Sequence, residues 1–347
     1  MFFAVVVMVG AITLSATEGL LGWDVRFAYL PAAEAVLDGL SPYPELDDPI
    51  LEDQKGYVYP PQLVLALVPF TWLPVGVVAM LATLVLLVLL GLTLWVLEVR
   101  DVRCYAAAAL WVPSISGVLL GNVSIPLAFA LAVVWRYRDH VWPPAAALGL
   151  SVSAKLVLWP MFVWMLVTQR FRASALAVVI GVLVTLGAWA AIGFDGLSGY
   201  PDLVRRLTDI QAENSYSLVG MASTAGFPDW VGQAATFLVG AGLLVACAVF
   251  ARRGDDVRSF TCAVAATLAL TPIVWLHYLV VLLVPLAIAR PRFSILWLLP
   301  ILLWVSPRPG YAEGLQTFLP AIAIAILLGV LLARPRATEE AAVQAVP

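Results

Sequence analysis

The chain has 347 residues, of which 63% are apolar and 12% charged, and its formal net charge is −3. A soluble globular domain is roughly 45–50% apolar and about 25% charged, so this composition excludes one and predicts an integral membrane protein. No basic block of the kind that follows a nucleic acid backbone occurs, so no nucleic-acid partner is expected. The three cysteines lie in apolar stretches without disulfide or metal-ligand spacing, and we predict neither a metal nor a soluble cofactor.

Long apolar runs predict the membrane passages, because a helix crosses a bilayer with about 20 mostly apolar residues. Runs of that kind occupy residues 75–97, 104–120, 173–192, 231–251, 258–276 and 317–333. Residues 2–17 are slightly shorter, and we interpret them as a retained first helix because no basic residue precedes them. With the shorter arms between these runs, the prediction is an all-α polytopic bundle of about 10–12 transmembrane helices.

Arginine clusters predict the orientation in the cell membrane. Thirteen of the 19 basic residues fall in clusters, which the positive-inside rule places in the cytoplasm. The clusters are Arg100/Arg103, Arg136/Arg138, Arg170/Arg172, Arg252/Arg253/Arg258, Arg290/Arg292 and Arg334/Arg336. Both termini are then cytoplasmic, and the acidic segments 18–61 and 194–231 are extracytoplasmic loops. We predict one membrane domain over residues 1–336 and a short cytoplasmic tail over 337–347.

Several arms between the arginine clusters are too short to cross the bilayer. Arms of about 13–15 residues, turning near Gly121, Lys155 and His277, would reach only part of the roughly 30 Å core. Non-helical backbone at that depth requires burial in protein or a wet cavity. The spacing therefore predicts a cavity that opens outward. Residues 24–40 and 62–73 are further predicted to form helices along the outer interface.

Asp24 is the first polar candidate, since it directly follows the first helix among aromatic residues. A partly desolvated carboxylate there could take a proton from a substrate hydroxyl. The alternative is an N-cap for the following helix, a role that aspartate fills well. The two roles are compatible.

Lys155 and His277 are the other notable polar residues within apolar stretches. A cation inside the membrane is energetically costly, so a functional role for Lys155, such as holding a phosphate, is favoured. The alternative is that its side chain snorkels to the interface. His277 can donate to a phosphate or shuttle a proton, although a lone histidine is equally often a core residue. Asn122 and Ser217 are weaker candidates that also suit turns. Tyr59 can stack on a sugar or belong to an aromatic belt.

Several short motifs, in their order and spacing, resemble glycosyltransferase family 87, membrane mannosyltransferases of the GT-C architecture. The resemblance covers Asp24 to about Pro285. The matching pieces are Asp24 with Tyr29 and Ala32-Ala33, Gly39-Leu40-Ser41-Pro42-Tyr43, Tyr59-Pro60-Pro61 followed by Pro69 and Leu73-Pro74, Gly121-Asn122, Lys155, Ser217-Leu218-Val219-Gly220, and Trp275-Leu276-His277-Tyr278-Leu279.

The resemblance implies a GT-C-like bundle that transfers a hexose, with mannose favoured, from a polyprenyl-phosphate donor to an extracytoplasmic glycolipid or glycan, with inversion. It implies that Asp24 is the base and that Lys155 and His277 hold the donor phosphate, with Arg26, Tyr59, Asn122 and Ser217 as further substrate-binding candidates. Membrane lipids are the remaining expected partner. Two alternatives stay open: a transporter or flippase of a lipid-linked sugar, and a scaffold without activity.

Overall fold

A computed structural model describes residues 1–305 and 314–333 of the chain. Within these residues the protein is all-helical and contains no β-strand, which confirms the predicted fold class. The α-helices are α1 (Phe2–Thr17), α2 (Leu30–Leu37), α3 (Gln62–Leu67), α4 (Val75–Val96), α5 (Val102–Leu110), α6 (Val112–Leu120), α7 (Ser124–Arg136), α8 (Trp142–Ala154), α9 (Pro160–Val167), α10 (Phe171–Ala191), α11 (Tyr200–Gln211), α12 (Leu218–Thr224), α13 (Asp229–Arg252), α14 (Asp256–Ala269), α15 (Leu283–Ala289) and α16 (Phe318–Ala333). A π-helical turn (Val25–Tyr29) and short 3₁₀ helices join them, among them Leu276–Leu282.

Three of the described helices, α4, α10 and α13, are long and apolar enough to cross a membrane. They confirm the passages predicted at 75–97, 173–192 and 231–251, and the 22 residues of α4 extend about 33 Å. The run 104–120 is instead two helices, α5 and α6, bent by 66°. Pro113 explains the bend, because its ring would clash with the carbonyl group one turn earlier in a continuous helix.

The membrane passage predicted at residues 258–276 is wrong at its C-terminal end, where the helix stops early. Helix α14 stops at Ala269, and the chain then runs through Pro272 into the 3₁₀ helix Leu276–Leu282. Proline lacks the N–H group that a continuing helix needs, so the apolar run does not stay helical. The remaining arms are shorter apolar helices such as α1, α7 and α16. The total of about 10–12 transmembrane helices stays a prediction, as does the GT-C likeness.

Five of the six arginine clusters meet at one end of the molecule. Glu98, next to the first cluster, pairs with Arg136 at 2.8 Å, and Asp256 pairs with Arg170 at 2.7 Å. The other contacts that join clusters are Arg138 with Asp256 at 3.6 Å, and the Phe293 N–H donating to Asp101 at 3.0 Å. The sixth cluster, Arg334/Arg336, and the predicted tail 337–347 lie outside the described residues.

The two acidic segments contact each other. The Tyr200 hydroxyl donates to the carbonyl of Val58 at 3.0 Å, and the amide of the buried Gln211 donates to the carbonyl of Leu51 at 3.1 Å. The side chains of Gln54 and Gln211 also join, at 3.3 Å. The segments 18–61 and 194–231 therefore form one continuous layer, beside which α4 begins.

Candidate active site

A close approach between two loops places Asp24. Gly121 ends α6 with a left-handed φ of +74°, which favours glycine, and a Cβ atom there would lie 2.8 Å from the side chain of Val25. The Gly22 N–H donates to the carbonyl of Leu119 at 2.7 Å. The segment after α1 is thus fastened to the turn between α6 and α7, and Asp24 lies beside Asn122.

The half-buried Asp24 carboxylate accepts two hydrogen bonds, both on Oδ2. Asn122 Nδ2 donates at 2.5 Å and the Tyr29 hydroxyl at 3.1 Å. Burial raises the pKa of the Asp24 carboxyl group, while the hydrogen bonds from Asn122 and Tyr29 and the charge of Lys155 lower it in part. Burial and the Asp24 charge raise the pKa of Tyr29, so the phenol keeps its proton and donates. The side chain of Asp24 makes no capping hydrogen bond to the turn that follows, which removes the N-cap alternative.

Lys155 lies where α8 ends, in extended backbone that interrupts the passage between α8 and α9. Its Nζ atom is 3.6 Å from the ring centre of Tyr278 and 5.2 Å from that of Tyr59. The Nζ atom is buried and has no hydrogen-bond partner among the described residues. The Lys155 amine is therefore buried against two aromatic rings, which argues against snorkelling to the interface.

His277 belongs to the buried 3₁₀ helix Leu276–Leu282 and is 7% exposed. Its ring lies 4.9 Å from that of Tyr278, which connects it with the surroundings of Lys155. The Nε2 atom is buried without a hydrogen-bond partner in the part of the chain that the structure describes. An unpaired buried polar atom is costly and is uncommon where no ligand is bound, so His277 is not an ordinary satisfied core histidine.

One cavity of about 600 Å³ joins these residues. Asp24, Tyr59, Asn122, His277 and Tyr278 line it, and Lys155 Nζ lies against the ring of Tyr278. Ser15 and Leu14 of α1 form another part of the wall. Four of the seven predicted site residues (Asp24, Tyr59, Asn122 and His277) thus line a single chamber, and Lys155 contacts the rings of two of its lining residues, Tyr59 and Tyr278.

Arg26 and Ser217 are not in the cavity. Arg26 Nε donates to the carbonyl of Leu21 at 2.6 Å, and its guanidinium group lies beside Gly76. The Ser217 hydroxyl caps α12 by accepting the Gly220 N–H at 3.1 Å. Both side chains are used by local structure, which sequence spacing does not reveal. Tyr29 was not predicted as a site residue. It contacts Asp24, five residues earlier, across a π-helical turn, whereas a regular α-helix brings residues three or four apart together.

No group of three or more His, Cys, Asp or Glu side chains that could hold a metal ion occurs in residues 1–305 and 314–333. The predicted independence from metal stays a prediction. The site described above combines the hydrogen-bonded carboxylate of Asp24 with two basic side chains and several tyrosines, and two further acids, Glu18 and Asp53, line the same cavity.

Comparison with known proteins identifies the class. The model of glycosyltransferase family 87 matches residues 57–276, a range that includes Tyr59, Asn122 and Lys155 and ends one residue before His277. A relative from Mycolicibacterium smegmatis (strain ATCC 700084 / mc(2)155), the polyprenol-phosphate-mannose-dependent alpha-(1-2)-phosphatidylinositol mannoside mannosyltransferase, is 25% identical over 315 residues, 77% of this chain and 70% of the relative. No solved structure gives a significant match.

Together with the all-helical fold and its membrane-length helices, these matches define a membrane glycosyltransferase. The family model covers more than half of the sequence. The chain belongs to glycosyltransferase family 87.

Proposed function

We propose that this protein transfers mannose from a polyprenyl-phosphate donor to a glycolipid or glycan acceptor, with inversion at the anomeric carbon. One observation carries the proposal: a carboxylate with a free oxygen and a histidine with an unpartnered nitrogen line one cavity, and an unpartnered lysine lies against two of its lining rings, those of Tyr59 and Tyr278. The name of the M. smegmatis relative, which specifies a polyprenol-phosphate-mannose donor, supports the choice of donor.

Asp24 is the proposed general base. Its Oδ1 atom accepts the proton of the acceptor hydroxyl as the oxygen of that hydroxyl attacks the anomeric carbon. Because attack comes from the face opposite the departing phosphate, the configuration inverts. A carboxylate with a raised pKa is a stronger base than an exposed aspartate and remains suited to this step near neutral pH.

Lys155 and His277 are proposed to receive the leaving group. The bond between the anomeric carbon and the phosphate oxygen breaks, and the polyprenyl phosphate departs with the electron pair. Donors that face the developing negative charge in a desolvated site stabilise such a transition state strongly. Lys155 Nζ lies 3.6 Å from the ring centre of Tyr278, which lines the cavity, and the donor phosphate is proposed to bind within its reach. Tyr59 offers a face for the sugar.

The proposed location is the extracytoplasmic side of the cell membrane. The cavity lies beside the acidic segments 18–61 and 194–231, at the end away from the arginine clusters. Cytoplasmic termini and a single membrane domain over residues 1–336 belong to the same proposal. A donor whose tail stays in the lipid needs no soluble cofactor.

Substitution of the base tests the function. Purified full-length protein is incubated with labelled polyprenyl phosphomannose and either octyl α-mannoside or a phosphatidylinositol mannoside. We expect labelled product from the unmodified protein and from Asp47→Asn, which changes an exposed acid in the same loop. Asp24→Asn should elute and melt like the unmodified protein, with product formation reduced at least about a thousandfold because the proton acceptor is lost.

The two alternatives give different results in the same assay. A flippase would move the labelled lipid across proteoliposome membranes without forming product, and an inactive scaffold would do neither. Near-normal turnover by Asp24→Asn would refute the assignment of the base while leaving the transferase class intact.

A further inference from the structure

The hydrogen bonds around Asp24 are unevenly shared between its two oxygens. Oδ2 accepts from Asn122 and Tyr29, whereas Oδ1 has no partner within the described part of the chain. Asp24 lines the cavity, so Oδ1 is the oxygen whose lone pairs are left for a substrate bound there. Two donors on one oxygen also restrict rotation of the carboxylate, so the two oxygens do not exchange roles.

The orientation of the Asn122 amide is itself determined by a neighbour. Its Oδ1 atom accepts the Ser124 N–H at 2.9 Å and the Ser124 hydroxyl at 2.7 Å. A carbonyl oxygen can face these donors and the amide nitrogen cannot, so Nδ2 must point to Asp24. Ser124 is 1% exposed and does not line the cavity, and its effect on Asp24 passes through Asn122.

We propose that Ser124 is a positioning residue that orients the amide of Asn122. Asn122 and Tyr29 together then hold the Asp24 carboxylate so that Oδ1 alone takes the acceptor proton. The inference rests on the proposed function. It assigns Asn122 to the support of the base rather than to direct contact with substrate. It also gives the first residue of α7 a role beyond starting that helix.

Other groups near Asp24 do not replace this support. Two further acids, Glu18 and Asp53, line the same cavity. The other titratable and charged side chains around Asp24 are Tyr29 in its own segment, Tyr59 in the outer loop, Lys155 after α8, and His277 with Tyr278 in the 3₁₀ helix. None of the last four has a hydrogen bond to Asp24. They influence the charge of the carboxylate but do not fix its rotation.

A pH profile separates positioning from a structural role. Hydrogen bonds to a carboxylate favour its charged form, so their weakening raises the pKa, and the base form then requires a higher pH. For Ser124→Ala we expect kcat to fall about tenfold and the acid limb of the kcat profile to move up by roughly one pH unit. The alkaline limb, set by other groups, should stay in place. Ser124→Thr retains the hydroxyl and should restore the acid limb.

A double-mutant cycle tests whether Ser124 acts through Asn122. Asn122→Ala should reproduce the upward shift of the acid limb, and adding Ser124→Ala should change kcat by less than about twofold further. Ser114→Ala is the matched control, because this buried serine in α6 has a hydroxyl without a partner. Its profile should equal that of the unmodified enzyme.

All assays use the full chain with labelled polyprenyl phosphomannose and octyl α-mannoside or a phosphatidylinositol mannoside. Two results would overturn the inference, provided that Asp24→Asn remains inactive. One is an unchanged acid limb in Ser124→Ala, and the other is a double mutant in which the losses of kcat from Ser124→Ala and Asn122→Ala multiply. If the unmodified enzyme forms no product with either acceptor, the proposed function falls, and the positioning role falls with it. A lowered melting temperature alone, without a shifted profile, would assign Ser124 only to the start of α7.

Discussion

At the scale of single residues, the Lys155 ammonium group lies against the rings of Tyr59 and Tyr278 and has no hydrogen-bond acceptor among the described residues. Burying a charge without a hydrogen-bonded partner costs several kcal/mol, and an aromatic face returns about 2 kcal/mol of that cost. The fold therefore keeps a buried amine whose charged form has no hydrogen-bonded partner among the described residues. An anionic ligand is the partner that such a group lacks, and the donor phosphate supplies one.

Lys155→Met tests this interpretation, because it keeps the length of the side chain and removes the charge. We expect kcat/KM for the polyprenyl-phosphate donor to fall about a hundredfold, the value of one lost charged hydrogen bond of about 3 kcal/mol. The melting temperature in detergent should stay equal or rise, since an unpaired buried charge is gone. The measurement is initial rate against donor concentration.

Arg205→Met is the matched control, because Arg205 pairs with Asp202 at 3.0 Å, both side chains are exposed, and neither lines the cavity. Exposed ion pairs contribute about 0–1 kcal/mol, so this variant should keep the donor kinetics. Unchanged donor dependence in Lys155→Met would show that the lysine does not contact the phosphate.

The sequence allowed the chemistry-bearing residues to be chosen because charge and imidazole are rare in apolar stretches. Asp24, Lys155 and His277 stood out for that reason, and the structure brings them around one cavity. Arg26 could not be rejected from sequence, because its contact with the Leu21 carbonyl depends on how the chain turns. The capping role of Ser217 was equally hidden, since the same residue type suits a cap and a site.

At the scale of elements, the turn between α6 and α7 holds the base in place. Gly121 has a left-handed backbone and is in close approach to Val25, and the next residue, Asn122, donates to Asp24. A side chain at this glycine would push the segment containing Asp24 away from the turn. The geometry of the base is therefore coupled to the geometry of a helix end.

Gly121→Ala should lower both stability and activity. A left-handed backbone costs a residue with a Cβ atom about 1–2 kcal/mol, and the contact with Val25 adds to that cost. We expect a lower melting temperature together with a loss of kcat greater than the unfolded fraction explains. Both are measured on the purified protein in detergent.

Gly91→Ala provides the comparison, because Gly91 lies within α4 and a Cβ atom there would meet nothing within 4 Å. Replacing a helical glycine by alanine is favourable by roughly 0.5–1 kcal/mol, so this variant should be at least as stable as the original. Full activity in Gly121→Ala would contradict the coupling between turn and base.

Helix positions were predictable where apolar runs are uninterrupted, and less so at prolines. The runs 75–97, 173–192 and 231–251 agree with α4, α10 and α13 within two residues at each end. Hydropathy alone does not predict the bend between α5 and α6 before Pro113, or the end of α14 before Pro272. These breaks come from a missing N–H group and a steric clash, which depend on backbone geometry rather than on polarity.

At the scale of the whole molecule, charge divides the protein into two ends. Five arginine clusters are joined through pairs such as Arg170 with Asp256, and the acidic segments are joined through Gln54 and Gln211. The positive-inside rule was applied to each cluster separately. That the five clusters meet at one end of the molecule agrees with the prediction that they share one side of the membrane.

Cysteine labelling in intact cells tests the orientation. The native Cys104, Cys247 and Cys262 are all buried, so a membrane-impermeant maleimide should leave the unmodified protein unlabelled. Asp47→Cys lies exposed on the acidic layer and Arg100→Cys lies exposed at the arginine end. We expect Asp47→Cys to be labelled in intact cells and Arg100→Cys only after lysis, because the bilayer separates the two ends. The reverse pattern would place the cavity on the cytoplasmic side and exclude an extracytoplasmic acceptor. Labelling of both variants before lysis would contradict a chain that spans the membrane between residues 47 and 100.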